Sequence, residues 1–376
     1  MTSARNRTQP FHVVFAGGGS GGHLTPSIAV AEQLLIRRPE AHITFLTSGR
    51  DIDRVVLQHS VIANDERCRI IPLSLTQPPD LSWSGVMHAW ALGESVLKCR
   101  RLLRQIAGDV MLATGAFASV PALLAAKQMN MPVVLFEANA VPGKVNRWWF
   151  QYASRHLSGW PQPASENDSG FEFEYVGMPI RPGGSFMGDA NTASLRPDSR
   201  QILIVGGSQG SRRLNELVNS VLPMTELPER WSVLHQTGTN DPIIPLEGYE
   251  SNAVRTIPFI DDLVYEMSQS AFVIGRAGAV TLGELAATEC PAVLVPLSSA
   301  AADHQRRNAE HFVEHGAAVL VDETASTATH DMAGAINRMI SDQGLRNAMS
   351  EAAGLLHRAN AADEIARRLI EVTECV

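Results

Sequence analysis

The chain has 376 residues, 45% hydrophobic and 19% charged, with a formal net charge of −8. That length exceeds what one hydrophobic core ordinarily supports, so two domains of ordinary size are expected, and the composition excludes a disordered or low-complexity protein. The acidic balance argues against a general nucleic-acid binder, which needs a basic face to displace phosphate counterions.

Behind Arg5 and Arg7 the apolar run FHVVFA breaks into glycines too early for a signal sequence or a spanning helix. FHVVFA, HITFL, DVMLAT and PVVLF then read as short buried parallel strands, with helices over 26–37, 84–106 and 120–129 between them. Pro, Gly and polar residues cluster over 161–170, in VGMPIRPGG and in ANTASLRPDSR, as a linker would. The pattern restarts at QILIV and continues through WSVLH, AVRTI, AFVIG and AVLVP, with helices near 210–222, 262–269, 279–289 and 302–315. Roughly two more amphipathic helical segments end the chain. Alternation of this kind predicts parallel βα units, hence an α/β protein of two doubly wound domains facing each other across a cleft. Cys68, Cys99, Cys290 and Cys375 are widely spaced, with no C-x-x-C and no neighbouring His at ligand spacing, so neither a zinc site nor a disulfide framework is expected. A reducing cytoplasm suits them.

Each half opens with a strand that runs into a glycine turn and then a helix: FAGGGSGGH at 15–23 and VGGSQGS at 205–211. Such turns bring bare backbone N–H groups and a helix amino end to one place, where an anion can sit. The alternative is that the glycines only permit a tight turn. Gly17, Gly19 and Gly22 satisfy G-x-G-x-x-G, but a dinucleotide site wants an acid at the end of the second strand, and Thr47 and Ser48 stand there. His23 occupies the place of the phosphate-binding Lys of a nucleotide-hydrolysing P-loop, and no Ser or Thr follows it. Phosphate contact is expected; NAD binding and ATP hydrolysis are not.

In the second half, RAGAVTLGELAATECPAVLVPLSSAAADHQRRNAEHF delivers Glu284, Asp303, His304, Gln305 and Asn308 to the carboxyl ends of strands, where open α/β sheets bind ligands. Glu284 can accept two hydrogen bonds from a ribose and Gln305 can exchange them with sugar hydroxyls. Taken singly, Glu284 could merely complement a helix dipole, Asp303 cap a helix and His304 lie on the surface.

GGGSGGH, GAFAS, FEANAVPGKVN, VGMPIR, GGSQGSRRLNE, FIDDL, RAGAVTLGE and DHQRRNA follow one another in the order found in the MurG family, which this chain resembles over nearly its whole length. That family comprises inverting glycosyltransferases that add N-acetylglucosamine (GlcNAc) to lipid I in peptidoglycan synthesis. The resemblance implies a GT-B architecture: an acceptor and membrane-associating domain at 1–178, a UDP-GlcNAc-binding domain at 179–359, and a last helix at about 360–376 that packs back on the first. It implies that Ser20, Gly21 and Gly22 lie at the sugar-diphosphate junction with Asn139 nearby, and that Arg181 and Ser208 hold the donor phosphates or their surroundings. Ile260 and Arg276 would border the uracil; Ala279, Val280, Thr281, Leu282, Gly283 and Glu284 would hold ribose and phosphate; Gln305 would hold GlcNAc hydroxyls; Asn215 matches a further functional position. The acceptor C4 hydroxyl would attack the anomeric carbon opposite UDP, with preorganised N–H groups and Arg181 stabilising the leaving diphosphate. His23 has the right chemistry for the base, unless it only braces the turn, and Glu137 is its rival. No metal or cofactor is implied.

Two segments depart from the family pattern. Phe136-Glu137-Ala138-Asn139 stands where the family has H-E-x-N, and Gly115-Ala116-Phe117-Ala118-Ser119 where it has G-G-Y-x-S. Both belong to the acceptor side, which keeps open a related transferase acting on another lipid or natural product, or a non-catalytic sugar-nucleotide-binding module. A lipid-linked acceptor requires a docking surface on the cytoplasmic face of the membrane. Two stretches mix aromatics with cations: one holds Trp83, Trp90, Lys98, Arg100, Arg101 and Arg104, the other Lys144, Arg147, Trp148, Trp149 and Phe150. Exposure of Trp148 or Trp149 is expected, with core packing as the alternative.

Overall fold

The computed structural model describes residues 10–18, 21–58, 60–73, 83–161, 170–181, 199–207, 210–225, 227–238, 253–298 and 303–374. Two compact units divide the chain, one of Met1–Arg181 with Asn360–Val376 and one of Pro182–Ala359.

The first unit is a seven-stranded, wholly parallel sheet. Its strands are β1 (His12–Ala16), β2 (His42–Thr47), β3 (Cys68–Pro72), β4 (Val110–Ala113), β5 (Val133–Glu137), β6 (Arg155–Ser158) and β7 (Glu174–Tyr175). They lie in the order β3-β2-β1-β4-β5-β6-β7. Helices α1 (Gly21–Arg37), α2 (Asp51–Gln58), α3 (Trp83–Ile106), α4 (Val120–Gln128) and α5 (Lys144–Trp149) connect them. Strands β1, β4 and β5 are buried along their whole length, which is why each reads as an unbroken apolar run.

Four strands escape that signal for identifiable reasons. β3 is an edge strand, partly exposed throughout; β6 is the polar sequence RHLS; β7 has two residues; and β13 (Ala318–Leu320), in the second unit, has three. Helix α1 begins at Gly21, five residues before Pro26, where the sequence had suggested a start. The first N–H groups of a helix have no intrahelical partner, so glycines can form its opening turn, and Pro26 removes only the bond to the Gly22 carbonyl.

The second unit repeats the plan with six parallel strands in the order β10-β9-β8-β11-β12-β13. They are β8 (Gln201–Val205), β9 (Ser232–Gln236), β10 (Val254–Ile257), β11 (Phe272–Gly275), β12 (Ala292–Leu294) and β13. Helices α6 (Arg212–Val221), α7 (Leu263–Gln269), α8 (Ala279–Ala287), α9 (His304–Glu314), α10 (Ala328–Ser341) and α11 (Gln343–Leu355) cover it. The tail therefore holds three helices rather than two, α10, α11 and α12 (Ala361–Glu374). Asp342 makes the extra break: its Oδ1 accepts from Leu345 N at 2.8 Å and caps α11, a local hydrogen bond that hydrophobic periodicity does not register.

Helix α12 packs on α1 and reaches β4 in the first unit. Ile365, Ala366 and Leu369 form its buried face. Its rim is held by ion pairs of Arg37 with Asp363 and of Arg38 with Glu374, and by Arg368 with Glu174 of β7.

In both sheets the winding reverses beside the first strand, between β1 and β4 and again between β8 and β11. Crevices at the carboxyl ends of strands open at such switch points. Each glycine turn leaves the carboxyl end of its unit's first strand, β1 or β8.

Candidate functional site

At the first switch point, close packing dictates glycine. A Cβ on Gly17 would lie 2.2 Å from Thr114 Oγ1 at the end of β4, and Gly18 has φ +141° with the Asp53 carboxylate 2.9 Å from where a Cβ would stand. Asp53, on α2, is buried and accepts from Ser48 N at 2.9 Å, tying the end of β2 to the back of the turn. Ser20 lies outside the described residues. Gly21, Gly22 and His23 form the first turn of α1, and the His23 carbonyl accepts from Ser27 Oγ at 3.1 Å.

Glu137 ends β5 and is 2% exposed. Its Oε1 accepts from Asn139 N at 2.9 Å and Asn139 Nδ2 at 3.1 Å, and its Oε2 from Gly143 N at 2.8 Å and Asn146 Nδ2 at 2.8 Å. A carboxylate that accepts four hydrogen bonds braces the loop that supplies them. His23, the other candidate base, lies in the first turn of α1. Asn146, buried against Gly115, completes the brace and had no signal of its own in the sequence. Phe136 and Ala138 are both buried, so the altered F-E-A-N positions are packing positions; Phe117 is half-buried in a short 3-10 turn.

Arg181 belongs to the first unit, where its Nε donates to Glu32 Oε1 of α1 at 3.1 Å. Burial pushes the Glu32 carboxyl above its ordinary value, and the Arg181 guanidinium opposes that only in part.

At the second switch point, Gly210 has φ +78°, and a Cβ there would meet Thr237 O at 2.1 Å. Ser208 is outside the described residues. Asn215 of α6 anchors the turn from behind: its Nδ2 donates to Thr237 O at 2.9 Å and its Oδ1 meets His235 Nε2 at 3.0 Å. Burial drives the His235 pKa down to about 4, so the ring is neutral and Nε2–H is the donor in that bond.

Arg276, just past β11, is buried, and its guanidinium faces inward. Nε and Nη2 donate to Ser211 Oγ at 3.0 and 2.6 Å, and Nη1 donates to Val295 O at 2.9 Å and meets Glu323 Oε2 at 2.7 Å. The structure thus joins Arg276 to the glycine turn through Ser211 and leaves its fork largely occupied. Glu323, which the sequence reading missed, lies past β13 behind Val321 and Asp322; an acid just past a strand's carboxyl end was the available signal.

Helix α8 opens at Gly278. Ala279, Leu282 and Gly283 are buried while Val280, Thr281 and Glu284 are half-buried, so only one face of the segment can meet a ligand. Burial pushes the Glu284 carboxyl up to about 8, because the charged form loses solvent without gaining a cation. Ile260 is buried in the loop before α7. Gln305, in the first turn of α9, accepts from Leu297 N at 2.9 Å through Oε1, which fixes the direction of its amide NH2. Asn308 Nδ2 donates to Ala277 O at 3.1 Å and ties α9 to the β11 turn.

Residues 13–158 match the glycosyltransferase family 28 N-terminal domain and residues 201–368 the family 28 C-terminal domain. A protein of Anaeromyxobacter dehalogenans (strain 2CP-1 / ATCC BAA-258) is 32% identical over 96% of this chain and 92% of its own length. It is named UDP-N-acetylglucosamine--N-acetylmuramyl-(pentapeptide) pyrophosphoryl-undecaprenol N-acetylglucosamine transferase. A protein of the same name from Pseudomonas entomophila (strain L48) is 30% identical over 96% of this chain and 98% of its own. The crystal structure of MurG from Acinetobacter baumannii superposes with a TM-score of 0.75 at 25% identity, covering 96% of this chain and all of that one. Two parallel-sheet units with a glycine turn at each switch point, both family 28 domains and full-length likeness to these transferases together place the chain in glycosyltransferase family 28, within the MurG family.

Proposed function

We propose that this protein is a hexosyltransferase that moves GlcNAc from UDP-GlcNAc to the C4 hydroxyl of the N-acetylmuramyl peptide carried on undecaprenyl diphosphate, inverting the anomeric centre. The observation that carries this reading is the pair of glycine turns at the two switch points in a chain whose relatives bear that activity in their names. Both substrates are diphosphates, and each turn offers N–H groups and a helix amino end to one of them.

In this reading the second unit takes the donor. Glu284 receives the ribose hydroxyls, Ile260 flanks the uracil, and the turn with Ser208 and the start of α8 meet the diphosphate. Gln305 donates to the GlcNAc. The family resemblance assigns Arg181 to the donor phosphates, where charge grows as UDP leaves and a preorganised cation is worth most. Ser20, Gly21, Gly22 and Asn139 meet the acceptor side, and His23 removes the C4 hydroxyl proton as the bond to the anomeric carbon forms. Glu137 shapes the loop that presents Asn139.

The first unit docks on the cytoplasmic face of the membrane. Trp148 is 73% exposed, whereas Trp149 is buried and stacks edge-on with Tyr152. Lys127 lies over the Tyr152 ring and Arg100 Nη1 donates to Gln128 of α4, so the basic face of α3 and the aromatic end of α5 share one neighbourhood through α4. Lys98, Arg101, Arg104 and Lys144 are exposed. The side chains of Trp83 and Trp90 lie outside those described. No helix of the described residues is long and apolar enough to cross a membrane, and a charged surface bearing an exposed tryptophan suits a peripheral contact with anionic lipid.

The test is release of UDP and transfer of labelled GlcNAc with lipid I as acceptor. Transfer to lipid I is expected. Transfer only to a different lipid or small acceptor would replace the acceptor assignment, and UDP-GlcNAc binding without turnover on any acceptor would make the chain a binding module.

A further inference from the structure

Arg276 and Glu323 form a buried ion pair, with side chains 6% and 3% exposed and a separation of 2.7 Å. Burying two charges costs desolvation that mutual attraction seldom repays, so stability by itself is a poor reason for such a pair. What a buried pair supplies is direction. The planar guanidinium reaches Ser211 at the end of the second glycine turn, the carbonyls of Val295 and Pro296 after β12, and Glu323 after β13. The other Glu323 oxygen accepts from Ser298 N at 3.1 Å. Ser298 Oγ in turn accepts from Arg213 Nη1 at 2.9 Å, and Arg213 sits at the start of α6 with its side chain 60% exposed. One carboxylate therefore aligns the loops after β12 and β13 with the turn after β8. Burial alone would raise its pKa, but the Ser298 N–H and the Arg276 guanidinium outweigh burial and hold it below its ordinary value, so it is charged at neutral pH.

We propose that Glu323 is a positioning residue for nucleotide binding: acting through Arg276 on Ser211, and through Ser298 on Arg213, it sets the shape of the turn that receives the diphosphate of a nucleoside-diphosphate donor. It rests on the reading, given above, that this turn meets the donor's phosphates. Glu323 touches no part of the donor itself; it fixes the groups that do. The consequence is specific. Arg276, which the family resemblance puts beside the uracil, has Nε and Nη2 on Ser211 Oγ of the turn, so losing the carboxylate weakens contacts to the diphosphate more than those to the nucleoside, for which Ile260 and Glu284 on other loops remain.

The experiment compares the full chain with Glu323→Gln by calorimetric titration of UDP and, in competition, of uridine. Loss of one charge-assisted contact predicts an affinity for UDP lowered about 10–30-fold and an affinity for uridine changed by less than about threefold. A general loosening of the fold would lower both alike, and that result, or an unchanged affinity for UDP, overturns the proposal. Should the Gln variant fail to fold, Arg276→Met combined with Glu323→Met removes both charges while keeping apolar volume. The double variant is expected to show the same loss of preference for UDP over uridine, and a wild-type preference would overturn the proposal. If the unaltered chain binds uridine and UDP equally, or neither, the donor reading itself fails, which is a different result from failure of Glu323 alone.

Discussion

Replacing Glu137 with Ala removes the acceptor of four hydrogen bonds at once. Asn139 and Gly143 are half-buried, so water can reach their freed N–H groups in part, but Asn146 is fully buried and its amide keeps only the long bond to Phe136 O at 3.4 Å. A buried donor stripped of its partner costs about 1–3 kcal/mol. Water enters at two of the sites, so a loss of about 2–3 kcal/mol is expected for the first unit. For a domain of its size each kcal/mol lowers the midpoint by roughly 2–4 °C, so its thermal transition should fall by about 4–12 °C. Differential scanning calorimetry reads this directly, and amide exchange over 137–147 should localise it. Glu137→Gln should be nearly as costly, because its NH2 would face two donors whichever way the amide is turned. A midpoint shift below about 2 °C in both variants, with activity abolished, would refute the brace and restore Glu137 as a base.

Glu284 makes a pH prediction with a definite sign. An acid whose folded pKa is raised from 4.5 to about 8 keeps its proton in the native state after the unfolded chain has released it, so its contribution to stability declines as pH rises through that interval. Glu284→Gln should therefore melt increasingly above the native chain from pH 5 to about pH 8, while UDP binding, which uses the ionised acceptor, should strengthen with pH in the native chain and stay flat in the variant. Equal pH profiles by calorimetry would remove the ribose assignment. His23→Ala should lower turnover about 10²–10⁴-fold, the usual range for losing a general base, with donor affinity within about threefold; wild-type turnover on lipid I would dismiss it. Trp148→Ala should reduce sedimentation with phosphatidylglycerol vesicles about fivefold or more, since burying an indole is worth at least 1.5–3 kcal/mol, and unchanged binding would exclude that side chain from the membrane contact.

The α/β class and the parallel order of both sheets were legible because central strands such as HVVFA and FVIG are buried on both faces and carry uninterrupted apolar runs. Strands at or near the sheet edges were not, since RHLS and EY offer neither length nor apolar pattern; β6 pairs because β5 presents an open edge to it, and β7 because β6 does. In the site, the glycine turns announced themselves by composition. The partners of the charged groups did not: Gly143 and Asn146 close on Glu137, and Ser211 and Glu323 on Arg276, from positions that no local pattern marks.

What the amino-acid order determined by itself is local: where the backbone must pass through glycine, where a helix face repeats, and which series of motifs identifies the family. Tertiary structure alone decided which of two adjacent tryptophans faces water, that Asp363 meets Arg37 across most of the chain's length, and that Glu323 lies against Arg276. The physical reason is range. Propensity and periodicity act over a few residues along the chain, whereas the partner of a buried charge is whichever group the packed sheets bring within about 3 Å, and a cation deprived of water must take that partner.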